Sequence, residues 1–173
     1  SFKDVANAAK EFSRQGLGMA ETLKRTNAAL ILTRLTGLDT ASAVQDLTAI
    51  INTFSGTMLD AMQIVNKFAA VDQAFSVSAK DLANSVKIVG STAEQAGIGL
   101  DELVGMVTAV QQSTARGAPI IANAFRTIFS RVQGQDNLEQ LKRLGIAVND
   151  LNGNFLPTLD ILKNLADKYN QVG

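Results

Sequence analysis

The chain has 173 residues, with 16 Lys and Arg against 16 Asp and Glu, 46% hydrophobic residues, two Pro, and no His, Cys or Trp. Without Cys there is no disulfide, thiolate nucleophile or thiolate metal site, and without His the commonest base and metal ligand are missing. The even charge balance argues against a strongly basic nucleic-acid binder, the apolar content argues against disorder, and the length suits one domain with a substantial core or two small ones.

The first residues, Ser1-Phe2-Lys3-Asp4, form neither a signal peptide nor a Met start, so a piece of a longer protein is expected. Alanine occurs 24 times and β-branched runs are short, which favours helix. The apolar spacing agrees. Val44, Leu47, Ile51 and Phe54 step by three and four, as do Leu82, Val86, Val89, Ala93 and Ala96, then Leu103, Val107 and Val110, then Ile121, Phe125, Ile128 and Val132. These stripes predict helices near 3–14, 19–36, 40–54, 57–71, 79–96, 100–115, 118–132, 136–144 and 158–170. Between them Gly16, Gly18, Gly37, Gly97 and Gly145 read as stops, usually followed by an apolar residue and a helix start. Ser78 with Asp81 reads as a capping box, and Gly18 with Glu21 and Gly99 with Glu102 keep its acidic half. An unbroken helix would reach roughly 260 Å, whereas stops every few turns fold the chain back.

Ile146–Asp150 and Asn154–Leu156 flank Leu151-Asn152-Gly153, and Asn-Gly readily supplies a tight turn, so a β-hairpin is expected at about 146–156. The expected fold is therefore all-α: a compact multi-helix bundle of antiparallel short helices with one small β-hairpin near the C-terminus. Residues 1–135 form its helical core module, and 136–173 add a helix, the hairpin and a C-terminal helix packed on that core. The longest uncharged runs, Leu47–Leu59 and Leu103–Ala115, fall short of the roughly 20 apolar residues that cross a bilayer.

No constellation of catalytic groups emerges. Asp150, Asn152 and Asn154 imitate the opening of a calcium loop, but Phe155 stands where the sharp-turn Gly belongs and Ile161 where the bidentate Glu belongs. Asp101 and Glu102 are adjacent and point to different sides of a helix, so the helix dipole explains them better than catalysis, as it does Asp72 and Asp81. Gly16-Leu17-Gly18 lacks the third Gly of a dinucleotide fingerprint. Met19, Met58, Met62 and Met106 lie on or beside apolar stripes and read as core filler. Gly105, inside an apolar helix, costs about 1 kcal/mol relative to Ala, and a close helix crossing is the expected compensation, with a partner surface the alternative.

The stretch from Thr114 to Arg131, including Gly117, Asn123, Ala124, Phe125, Arg126, Thr127, Ile128, Phe129 and Ser130, resembles the core region of the phage tail tape measure protein family. Upstream, Ser78-Ala79-Lys80-Asp81-Leu82-Ala83 and Gly97-Ile98-Gly99-Leu100-Asp101-Glu102-Leu103 are similar to its successive helix starts. Downstream, Leu144-Gly145-Ile146-Ala147-Val148 through Asn152-Gly153-Asn154-Phe155-Leu156-Pro157 is similar to its hairpin-and-helix segment. The likeness runs over roughly 16–169, with Gly99 where the family often has Ser and Ala118-Pro119 a less typical helix start.

The resemblance implies a structural and assembly role in tail length determination, tail assembly and genome ejection. It implies no catalytic residue, metal or cofactor. The partners it implies are other copies of the chain, tail tube protein, tail assembly chaperones and tail-tip proteins, with no sequence-specific nucleic acid and membrane contact only during ejection. It places the protein in the tail tube lumen of the virion, and in the host cytoplasm during assembly. Gly97, Gly105, Thr114, Gly117, Asn123, Phe125, Thr127, Phe129, Arg131, Gly145 and Gly153 are the motif and packing candidates. The other readings are a helical adaptor that binds a partner helix, a membrane-active segment and, last, a carboxylate-only hydrolase without a candidate residue.

Overall fold

A computed structural model of the chain describes residues 1–57 and 59–172. Among these residues the regular structure is α1 (Phe2–Arg14), α2 (Met19–Thr36), α3 (Thr40–Thr53), a 3-10 turn (Ser55–Thr57), α4 (Ala61–Ala74), α5 (Ala79–Gln95), α6 (Leu100–Thr114), α7 (Ala118–Val132), α8 (Gln135–Arg143) and α9 (Thr158–Val172), with no β-strand. The fold is all-α.

Helix boundaries follow local chemistry. At Gly97 (φ +74°) and Gly145 (φ +75°) the chain turns left-handed, where L side chains are strained. The two stops share one hydrogen-bond pattern. Gly97 N–H donates to Glu94 O and Ile98 N–H to Ala93 O; likewise Gly145 N–H donates to Lys142 O and Ile146 N–H to Leu141 O. Each stop therefore delivers an isoleucine to the interior, with Ile98 and Ile146 both buried. Helix α6 ends without glycine: Ala115 itself adopts φ +52°, and Thr114 Oγ1 donates to Val110 O.

The helix expected at 57–71 begins later, at Ala61, and runs to Ala74. Asp60 is the reason. Its carboxylate accepts from Gln63 N–H at 2.8 Å while Gln63 Oε1 accepts from Asp60 N–H at 2.9 Å, closing a reciprocal cap. Ser78 caps α5 through Asp81 N–H at 3.0 Å, but the Asp81 carboxylate does not return the bond; it accepts from Gln111 Nε2 of α6 at 2.9 Å. Glu102 caps Gly99 N–H at 2.8 Å as expected, whereas Glu21 takes Arg25 at 2.7 Å and leaves Gly18 without a side-chain cap.

Helix α5 is the hub. It packs against α2, α3, α4, α6 and α7, and buries Ala79, Leu82, Ala83, Ser85, Val86, Val89, Gly90 and Ala93. Its small residues let five neighbours approach one cylinder. The close approach lies at Gly90, where an added Cβ would stand 3.4 Å from Phe54 Cε2 and from Thr53 Cγ2. Around α5 one large core runs from Ala8 and Phe12 through Leu32, Leu47, Ile64, Phe68 and Leu103 to Phe125 and Phe129. A second, smaller core joins Val132, Leu138, Val148 and Ile161, and Leu162 packs against both.

The hairpin expected at 146–156 forms no strands. It is reduced to one antiparallel bridge between Asn149 and Phe155, with Leu156 N–H donating to Val148 O at 2.9 Å. The Asp150 carboxylate draws in the Asn152 and Asn154 amides at 2.9 and 2.8 Å, making a side-chain-centred turn at Gly153 (φ +85°). Leu151 and Phe155 are exposed and Pro157, directly after Leu156, has no N–H to donate, so the ladder stops at one bridge.

Candidate interaction surface

Among the described residues no group of three or more His, Cys, Asp or Glu could hold a metal ion. No helix there is long and apolar enough to cross a membrane. The carboxylates noted in the sequence are engaged in folding. Asp101 Oδ1 meets Lys67 Nζ at 2.6 Å, and Asp72 Oδ2 accepts from Ala79 N–H at 3.0 Å, helping to start α5. Asp150 is held below the usual carboxylate range, first by the Asn154 amide and then by the Asn154 side chain and the Asn152 amide, which outweigh its desolvation. Those donors come from its own turn. Asp46, which the sequence alone did not single out, is the one buried carboxylate side chain among the described residues. It lies on α3 and reaches Lys87 Nζ of α5 at 2.8 Å; its side chain is 3% exposed against 54% for the lysine. An Asp on the inner side of an amphipathic stripe, between Ala43 and Leu47, was the available signal.

The motif candidates separate into two sets. Phe125 and Phe129 face inward from α7 and stack at 5.4 Å between ring centroids. Asn123, Thr127 and Arg131 lie one turn apart on its exposed side; Thr114, the last residue of α6, and Gly117, in the connection leading to α7, are exposed as well. The two polar members bond their own helix: Asn123 Nδ2 donates to Pro119 O at 2.8 Å and Thr127 Oγ1 to Asn123 O at 3.1 Å. Ile120 (57% exposed) and Ile128 (41% exposed) flank them. Gly97, Gly145 and Gly153 are turn residues, each with positive φ.

Gly105 corrects an expectation. No helix crosses close to it; an added Cβ would meet nothing within 4 Å, and the residue is exposed. It lines a cleft of about 440 Å³ between α4 and α6, with Val71, Phe75, Val104 and Thr108, and the Lys67–Asp101 pair on its rim. A second cleft of about 610 Å³ lies between α1 and α3, lined by Asn7, Lys10, Glu11, Thr40 and Val44 among others. Of the methionines, Met62 and Met106 pack against the large core, Met19 is exposed, and Met58 lies outside the described residues.

The sequence model of a family described as phage-related minor tail protein matches residues 1–173. The chain is similar to a protein named "Tape measure protein" from Pneumococcus phage Dp-1, at 20% identity over 167 residues. That match covers 95% of this chain and 14% of the relative, so the chain spans about one seventh of the relative's length. No solved structure matches.

Proposed function

The chain belongs to the phage-related minor tail protein family, and from that premise we propose that it is a folded structural module of a tape measure protein. A structural role in the phage tail is the family's; the finer role rests on the resemblance of residues 114–131 and on the Dp-1 relative's name. In this reading the module contributes to tail length determination, tail assembly and genome ejection by protein–protein contact. It resides in the tube lumen of the virion tail and in host cytoplasm during assembly. Its partners are other copies of itself, tube protein, assembly chaperones and tail-tip proteins. No bond-making is assigned to it. Residues 1–135 act as the helical core module, and 136–173 pack on it.

The match over the full chain carries this reading. The helix hub supports a compact module over a measuring shaft, because a ruler's length must scale with residue count and a chain wrapped round α5 does not provide that. Deleting whole repeats from a helical shaft elsewhere in the protein is expected to shorten tails in proportion. Deleting residues 1–173 is expected to abolish assembly, read by electron microscopy of lysates. Shorter but viable tails from the second deletion would overturn the division of labour.

A further inference from the structure

The turn that closes the smaller core holds a chemically labile pair. Asn152 is followed by glycine, and no other asparagine of the chain is. Among the described residues, Asn149, Asn152 and Asn154 are the asparagines outside helices. Asn149 Nδ2 is tied to Gly153 O at 2.8 Å and Asn154 Nδ2 to Asp150 Oδ2 at 3.3 Å. The side-chain amide of Asn152 is exposed and makes no hydrogen bond among the described residues. Gly153 carries no Cβ to shield its nitrogen from that amide.

The folded turn restrains this pair without burying it. Gly153 N–H donates to Asp150 O at 3.1 Å, which keeps its proton engaged. The Asp150 carboxylate holds the amides of Asn152 and Asn154 at 2.9 and 2.8 Å. Behind these bonds stand one bridge, Asn149 to Phe155, and a core of four buried residues. A turn fastened so lightly opens more often than the helices around α5.

We propose that Asn152-Gly153 is a site of spontaneous covalent modification, gated by opening of the Asp150 turn, and that the modification then loosens α8 and α9. In the opened turn Gly153 N gives its proton to solvent base and attacks Asn152 Cγ. The new N–Cγ bond closes a succinimide ring, the Cγ–Nδ2 bond breaks, and the side-chain nitrogen takes up a proton and leaves as ammonia. Water then adds at either ring carbonyl, giving isoaspartate or aspartate. One water enters and one ammonia departs, with no change of oxidation state. Either product places a second carboxylate beside Asp150, and like charges at short range disfavour the closed turn. Isoaspartate also inserts a methylene into the main chain, which shifts the Asn154 amide out of reach of Asp150. The chemistry does not depend on the tail role proposed above, so each can fail alone.

The test holds the 173-residue chain in warm, mildly alkaline buffer beside a synthetic peptide of residues 147–157. Released ammonia, peptide mass mapping and labelling by an isoaspartyl methyltransferase follow the conversion. Isoaspartate is expected at position 152 and at no other asparagine, forming at least about threefold more slowly in the chain than in the peptide, because the turn must open first. Asp150→Ala removes the acceptor that holds the turn and should raise the chain's rate at least about threefold. Should that variant unfold the smaller core outright, Asp150→Asn, which keeps an acceptor oxygen without the charge, is expected to give a rate between those of the native chain and the peptide. Asn152→Ser should abolish the label. In the converted chain, amide exchange should quicken in α8 and α9 and stay unchanged in α5. Five results would sink the proposal: position 152 intact after the peptide has converted, label retained in Asn152→Ser, equal rates in chain and peptide, rates indifferent to both Asp150 variants, or unaltered exchange in α8 and α9 after conversion.

Discussion

The large core and the small core hold their helices by different means. In the large core α5 is enclosed by five helices, and its Ala, Ser and Gly positions trade side-chain bulk for close approach. In the small core four buried residues join α7, α8, the 148–156 turn and α9, while Leu144, Leu151, Phe155 and Tyr169 stay exposed around them. Cross-links there are few and polar: Gln133 Nε2 to Thr158 Oγ1 at 2.6 Å, and Asn164 Nδ2 to Ala147 O at 2.9 Å. One is a closed interior and the other an attached flap. Their stabilities should differ accordingly, because local opening follows the number of buried apolar partners.

The strongest challenge to that comparison is paired truncation. Phe68→Ala or Leu82→Ala in the large core is expected to cost about 3–5 kcal/mol and to lower the whole unfolding transition. Ile161→Ala should instead accelerate amide exchange in α8, the turn and α9 while α1–α7 keep their protection. One shared transition in both variants would erase the distinction.

Next in size is the Asp46–Lys87 link between α3 and α5. Lys87→Ala leaves a buried carboxylate without its cation and is expected to cost roughly 3 kcal/mol. Asp46→Asn should cost less, because Lys87 is half in solvent already; chemical denaturation ranks the two.

Two glycines then sharpen the account of packing. Gly90→Leu pushes bulk against Phe54 and Thr53 and is expected to cost about 1–3 kcal/mol. Gly105→Ala has open space and should stabilise by up to about 1 kcal/mol. The reverse order would mean that the hub is loosely packed.

Last, and confined to the small region, is the Asp150 turn. The folded turn holds this carboxyl below its unfolded value, so its contribution is present above the ordinary Asp range and is lost as pH falls through the lowered one. Amides of Asn152 and Asn154 should exchange faster, relative to the intrinsic rate, at about pH 2 than at pH 6, and Asp150→Ala should remove that difference.

Most of the helical layout could be read from the sequence because each boundary is decided within a few residues. Gly97 and Gly145 stop helices by their own backbone freedom, and Ser78 starts one with its own hydroxyl. The errors arose where the deciding partner was less obvious or far away. The start of α4 is legible in Asp60 and Gln63, three residues beyond the start expected at 57. Asp81 leaves its own cap for Gln111, thirty residues on, which no local pattern encodes. Gly105 and Gly90 divided on position: Gly90 lies one turn after Val86 on the buried stripe, whereas Gly105 lies off the Leu103–Val107 stripe. The outer face of α7 was half visible, since alternating inward Phe and outward Asn, Thr and Arg follow from helical period alone. That Arg131 makes no ion pair among the described residues required the fold.

Leu162 has a mechanical consequence. It touches both cores from α9, and α8 meets the bundle chiefly through α7. A pull applied through the C-terminal helix loads four buried residues before it loads the hub. The flap would peel away first, and the bundle would yield only after that slack had run out.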